Sequence, residues 1–345
     1  MIFLEKRGGN RLKHQVEQAV KEINFIGKSK KAMRENGTSG IHSTTQMKHV
    51  LSVSQNFAEW AKREHNVSDL YKLKRVHYRE YIEHMKTTGV TNGHLINIET
   101  SLRILNKGMA AVCEGKGHKE RDWVPKERLI AVAEREKPKN RSIDRDEVSR
   151  IRESVSENVR VAVDLESAFG IRLREVAKSN RAHIVEKDGT LYWKAVADPE
   201  APNTAKGVTK AGRPREARVK PEYERVVREM IQGKAPTEKL CNVSYNTLKS
   251  AYTRHNVGGS HAFRHTYARD MVVLEFQKRG IVAEGRQMLQ RMLENREKGF
   301  RKDHLVTREE RALYKQVNQV VDEVHGYLGH GRGRIDLVEV YMSFS

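Results

Sequence analysis

Apolar residues recur at helical spacing through the first third of the chain. Leu12, Val16, Val20 and Ile23 make one stripe, and after breaks at Asn36-Gly37 and Ser39-Gly40 a second runs through Met47, Val50, Leu51, Phe57, Ala58 and Ala61. Tyr78, Tyr81, Ile82 and Met85 form a third, and Leu95, Ile98, Leu102, Leu105 and Met109 a fourth, with Gly89 and Gly93 between them. Residues three or four apart share one face of a helix, so the stripes predict amphipathic helices closing on a common core. The expectation is a compact helical domain over residues 1–120, its aromatic and methionine stripes serving as core.

Residues 121–142 are polar and basic, with Lys126, Lys137, Pro138 and Lys139, and predict a linker. The pattern then restarts. Asp144 with Glu147 marks a helix start before Val148, Ile151 and Val155, and a second helix is expected from Val159 to Phe169, halted by Gly170. Residues 182–185 and 191–196, separated by Asp188-Gly189, read as a hairpin, and a further extended pair is expected to flank Gly212 and Pro214. Helices follow over 223–231, 248–252, from His261, and through Leu313, Val317, Val320, Val321, Val324 and Leu328 to a stop at Gly329. The predicted class is mainly α with a small antiparallel β-sheet, in two domains, the second over 143–345.

Charge narrows the partner. The 345 residues carry a formal charge of +20, and a surface with that excess attracts a polyanion, nucleic acid first and anionic membrane second. No stretch approaches the roughly twenty apolar residues of a membrane span, and no apolar signal core opens the sequence. Cys113 and Cys241 stand alone, without the spacing of a zinc module or a disulfide framework. The expectation is a cytoplasmic protein.

Four stretches of the second domain carry candidate chemistry: Gly170-Ile171-Arg172-Leu173-Arg174-Glu175; Thr209-Lys210-Ala211-Gly212-Arg213; His261-Ala262-Phe263-Arg264-His265; and Leu328-Gly329-His330 followed by Tyr341. Each alone has an ordinary reading: a surface arginine, a salt-linked helix face, a polar residue beyond a helix end, a packing tyrosine. In this order they resemble the signature boxes of the tyrosine recombinases, the phage integrase family. The resemblance covers about residues 143–345, and the helical part before it is only generically similar to that family's core-binding domain.

The resemblance implies Arg172 and Arg264 as phosphate clamps, Lys210 as general acid, His261 and His330 as phosphate-contacting or proton-handling groups, Tyr341 as nucleophile, and Glu175 as support for the first arginine. Lys206 and Arg213 compete with Lys210 for its role, and His265 and His325 are expected to be supporting residues. The chemistry is coherent. Two guanidiniums, always charged and forked onto phosphate oxygens, stabilise the charge that gathers there during in-line attack, so the family needs neither metal nor nucleotide cofactor. A phenol and an alkoxide leaving group each need help with a proton at neutral pH. The implied partners are double-stranded DNA, gripped by the two domains as a clamp, a homotetramer on two DNA sites, and an accessory directionality protein. The implied role is integration or excision of a mobile element by a nucleoid-associated bacterial enzyme. Two readings stand beside it: a type IB topoisomerase-like relaxing enzyme, and a DNA-binding regulator whose catalytic centre has lapsed.

Two departures from the family pattern stand out. Arg264 to His330 spans 66 positions (330 − 264), far more than usual, which places an insertion at about 275–307 with a helix-like stripe at Met288, Leu289, Met292 and Leu293. This segment is expected to touch DNA, a neighbouring protomer or the active site, or to be a tolerated surface insertion. His330 to Tyr341 spans 11 (341 − 330), some two residues longer than is common in the family, with Gly331 and Gly333 giving slack. That leaves open whether Tyr341 acts in its own active site or a neighbour's.

Overall fold

The computed structural model describes residues 5–117, 122–136, 141–255, 257, 259 and 261–342, of which 5–10 in backbone only. The chain divides into two compact units, Met1–Lys137 and Pro138–Ser345.

The first unit is helical: α1 Glu5–Glu22, α2 Lys30–Glu35, α3 Thr44–His65, α4 Arg75–Thr87 and α5 Asn92–Gly115. Ser43 and Thr91 start α3 and α5 by accepting hydrogen bonds from the backbone N–H groups of Gln46 and His94, which the first turn leaves without partners. The four sequence stripes meet in one core, with Val16, Phe57, Tyr78, Ile82, Leu102 and Leu105 fully enclosed. Where α5 crosses α1 the backbones touch: a Cβ on Gly108 would lie 2.1 Å from the Ala19 carbonyl oxygen.

The stretch expected as a linker behaves differently over residues 122–136. Trp123, Val124 and Ile130 are buried in the first core, and the Leu129 N–H donates to the buried Glu99 carboxylate, 2.8 Å, which also accepts from the Tyr78 hydroxyl, 2.7 Å. The lysines and proline of this stretch outweighed three well-spaced apolar anchors in the sequence pattern. Residues 137–140 lie outside the described residues.

The second unit comprises α6 Arg145–Ser154, α7 Glu157–Phe169, α8 Leu173–Val176, strands β1 Ile184–Lys187, β2 Thr190–Ala195 and β3 Arg215–Arg218, then α9 Glu224–Ile231, α10 Tyr245–Arg254, α11 His261–Lys278, α12 Val282–Glu297, α13 Arg311–Tyr327 and α14 Ile335–Tyr341. The sheet is antiparallel in the order β1-β2-β3. The β1–β2 hairpin turns on Asp188 and Gly189, both at positive φ, as a two-residue connection requires. Only half of the second extended pair is present: β3 forms, but residues 210–212 before it make a 3-10 turn, and β3 pairs with β2.

Two cores share this unit. One unites the sheet with α6, α7 and α10 around Trp193, Phe169 and Leu248. The other joins α11 to α14 through Tyr267, Phe276, Met288, Met292, Val320 and Val338. The interval 275–307 is therefore not a surface appendage over its helical part, because the Met288, Leu289 and Met292 stripe is buried in that second core.

Candidate active site

Arg264, in the first turns of α11, is the centre of the constellation, 1 % exposed despite its charge. Its guanidinium is held by the C-terminal ends of two other helices. Nη1 donates to the Gly170 carbonyl just past α7, 2.7 Å, and Nη2 to the Leu328 carbonyl at the end of α13. Carbonyls there have no partner within their own helix and carry the negative end of its dipole, so they solvate a buried cation.

Both helix ends depend on glycine. Gly170 sits at φ +58, and a Cβ there would lie 2.4 Å from the Tyr267 ring. Gly329 sits at φ +66, with room for a Cβ only 3.0 Å from the Arg215 Cδ. The His330 N–H bonds back to the His325 carbonyl, 2.8 Å, and the Gly329 N–H to that of Gly326, 2.9 Å, the paired bonds of a Schellman end. The Leu-Gly-His run thus stops α13, offers the Leu328 carbonyl to Arg264, and turns His330 towards the same guanidinium.

Arg172 and Glu175 open α8. The Glu175 carboxylate accepts from the Arg172 backbone N–H, 2.8 Å, and from the Arg172 guanidinium, 2.8 Å. It is 1 % exposed and takes a third partner, Arg215 Nη1 at 3.1 Å, which also donates to the Leu328 carbonyl, 3.4 Å. Burial alone would raise the Glu175 pKa, but the Arg215 and Arg172 charges outweigh it and hold the group below the usual carboxylate range.

Arg215 was absent from the sequence-based set. It lies on β3, whose inward positions are Arg215 and Ala217, and its guanidinium stands 5.2 Å from the Trp193 ring centroid. Strand alternation running into Val219 was the available signal, but it requires reading an arginine as an inward residue.

Around Arg264 stand the aromatic and imidazole groups. His330 Nε2 lies 3.3 Å from Arg264 Nη2. A guanidinium only donates, so Nε2 accepts and the ring proton is assigned to Nδ1, a buried atom with no partner of its own. Burial, then the Arg264 charge, push the His330 pKa down to about 3, so the ring is neutral. The Tyr341 ring lies 5.1 Å from the His330 ring, 4.5 Å from that of His265, and 5.8 Å from Arg264 Cζ. His265 and His325 are buried and held down to about 4, chiefly by burial.

Arg172, Glu175, Arg264, His330 and Tyr341 are thus brought together, linked through Arg215. His261 stands at the rim, at the start of α11, where partial desolvation of its ring, then the Arg264 and Arg172 charges, lower its pKa, which places it in the same field. Lys210 is not in contact with them. It is exposed in the 3-10 turn of the long β2–β3 connection, and among the described residues no polar contact ties it to the cluster.

Arg172, Arg215 and Arg264 set against the single carboxylate of Glu175 leave two positive charges in excess. Burial, with Arg215 and Arg172 nearby, pushes Arg264 down to about 9, which leaves it cationic at neutral pH. An oxyanion is the ligand that would relieve this repulsion. Among the described residues no group of histidine, cysteine or carboxylate side chains is arranged to hold a metal ion, and no helix is long and apolar enough to cross a membrane.

No family model matches the sequence. No curated protein matches it either. Solved structures do. The XerH site-specific recombinase bound to a palindromic difH substrate, in a post-cleavage complex, superposes with a TM-score of 0.54 at 12% identity, over 99% of this chain and 94% of that one. A pre-cleavage complex of XerH with difH gives 0.51 at 12%, over 98% and 93%.

Proposed function

We propose, on the premise that the chain has the fold of the tyrosine recombinases, that it is a site-specific DNA recombinase that cuts and rejoins duplex DNA through a phosphotyrosine link to Tyr341. The observation that carries the reading is the convergence, in one half-buried cluster around the buried Arg264, of Arg172, Arg264, His330 and Tyr341 from four separate elements.

In this reading the scissile phosphate is the oxyanion that the excess positive charge attracts. Arg172 and Arg264 fork onto its non-bridging oxygens, each already oriented by groups that cannot follow the substrate away: Glu175 for Arg172, two helix-end carbonyls for Arg264. His330, neutral, accepts from Arg264 Nη2 and helps hold that guanidinium on the phosphate, and His261 adds a polar contact at the rim. The Tyr341 oxygen attacks phosphorus as its proton passes to a neutral histidine of the site, the bond to the 5′ oxygen breaks, and Lys210 supplies that oxygen's proton when DNA draws the β2–β3 connection in. The product keeps a 3′-phosphotyrosine ester, and attack by a free 5′ hydroxyl reverses the step. The charge of +20 fits binding along the DNA backbone, and the biological setting we propose is insertion or removal of a mobile element by a tetramer on two DNA sites, aided by an accessory directionality protein.

The test is incubation with supercoiled plasmid carrying the DNA that flanks the coding sequence, with chelator present, followed by detergent quenching. A covalent protein–DNA adduct from the wild type and none from Tyr341→Phe supports the reading. Tight binding with no adduct would favour a DNA-binding regulator, and relaxation without recombinant product a relaxing enzyme.

A further inference from the structure

The helix that carries Tyr341 is too short to hold itself. α14 has seven residues, and isolated helices of two turns do not persist in water. Its buried Val338, and Met342 just past its end, sit in the core that α11 and α13 share with Met288, Leu289 and Met292 of α12. α12 belongs to the long interval between Arg264 and His330.

A second tie is polar. Arg296, in the last turn of α12, donates from Nη1 to the Glu339 carboxylate of α14. Glu339 precedes Tyr341 by two positions, about 200° around a helix of 3.6 residues per turn. Arg296 therefore grips α14 from a side other than the one on which the Tyr341 ring meets Arg264, His265 and His330, and this fixes the rotation of the helix as well as its place.

α12 is itself firmly seated. Gly285 lies against the Phe276 ring of α11 so closely that a Cβ would be 3.1 Å away. Arg291 pairs with Glu310 at 2.9 Å, and Asn295 Nδ2 donates to the His304 carbonyl, 2.9 Å, closing the loop that leads to α13.

We infer that α12 is a positioning element that keeps the Tyr341 helix docked in its own active site, with Arg296 as its latch. The inference rests on the strand-transfer reading for its consequence but not for its geometry. It gives the interval a role inside the catalytic unit.

The test compares wild type with Arg296→Ala, Arg296→Lys and the swapped pair Arg296→Glu with Glu339→Arg. Hydrogen exchange of the amides of residues 335–342 is read first, then DNA affinity and the single-turnover rate of adduct formation at saturating DNA. An ion pair this accessible is worth a factor of about 2 to 5. Arg296→Ala is expected to raise exchange in 335–342 by that factor and to slow adduct formation similarly, with DNA affinity unchanged. Arg296→Lys and the swapped pair should restore both. Unchanged exchange in 335–342, or a uniform rise across the second unit, would overturn the inference. If the wild type forms no adduct, the strand-transfer reading has failed and the exchange pattern alone decides the latch.

Discussion

Arg215 makes the strongest quantitative demand on the site. Its side chain is 3% exposed and its partner Glu175 1%, so replacing Arg215 by methionine keeps the volume of the stem but leaves a buried carboxylate with Arg172 as its one guanidinium partner. Arg172 is 27% exposed and is screened accordingly. Breaking a buried pair by removing one member costs about 3–5 kcal/mol, because the other charge stays desolvated. For a unit of this size that corresponds to a melting temperature lower by roughly 6–20 °C. Removing both charges, Arg215→Met with Glu175→Gln, takes away the stranded carboxylate, so the double variant should recover most of the loss and give a coupling of at least about 2 kcal/mol in a double-mutant cycle. Urea unfolding followed by tryptophan fluorescence measures this, since Trp193 lies beside Arg215. A single variant within about 0.5 kcal/mol of wild type, or a double variant no better than the single, would refute the claim that Arg215 holds Glu175.

Further outcomes follow from the same geometry. His265, His325 and His330 have folded-state pKa values of about 4, 4 and 3, below the unfolded value of about 6.5; the unfolded chain takes up their protons first as pH falls, so their stabilisation is complete above about 6.5 and is lost towards 4 for His265 and His325 and towards 3 for His330. Each removes about 1 kcal/mol per pH unit near pH 5, so urea midpoints should drop between pH 7 and 5, and a flat profile would contradict the burial of these rings. Gly170→Ala combines a left-handed backbone with a clash on Tyr267 and should destabilise by about 2–4 kcal/mol, whereas Gly189→Ala, with open space around it, should lose only about 1; equal effects would show that the Gly170 contact is not tight. Lys210→Ala should leave stability within about 0.5 kcal/mol but slow adduct formation by about 100-fold or more, and a substrate with sulfur in place of the 5′ bridging oxygen, a leaving group that needs no proton, should restore the rate; Lys206→Ala on the same substrates shows whether the neighbouring lysine carries the role.

Much of this was legible because local rules and tertiary packing agree. The stripes through Val16, Phe57, Tyr78 and Leu102 are core in the structure as in the pattern, and Gly170 and Gly329 stop helices as glycines at such positions do. The four motif stretches could be read as one site only through their order along the chain. What escaped the sequence was non-local. Arg215 finds Glu175 forty positions away, and no periodicity predicts that an arginine will be buried by a carboxylate so distant. The apolar side chains of α12 were visible as a stripe, but their burial depends on α11, α13 and α14 arriving together. Trp123, Val124 and Ile130 were hidden among charges, and the second strand expected near Gly212 gave way because Ala211 and Gly212 both adopt positive φ, which breaks an extended run.

The most direct test of the central claim is to trap the adduct on DNA labelled at each end in turn, digest the protein, and identify the peptide that carries the nucleotide by mass spectrometry. The account predicts a phosphate bridging Tyr341 to the 3′ end of the cut strand, formed in the presence of chelator and absent from Tyr341→Phe. Linkage through any other residue, attachment to a 5′ end, or an adduct that persists in Tyr341→Phe would contradict it.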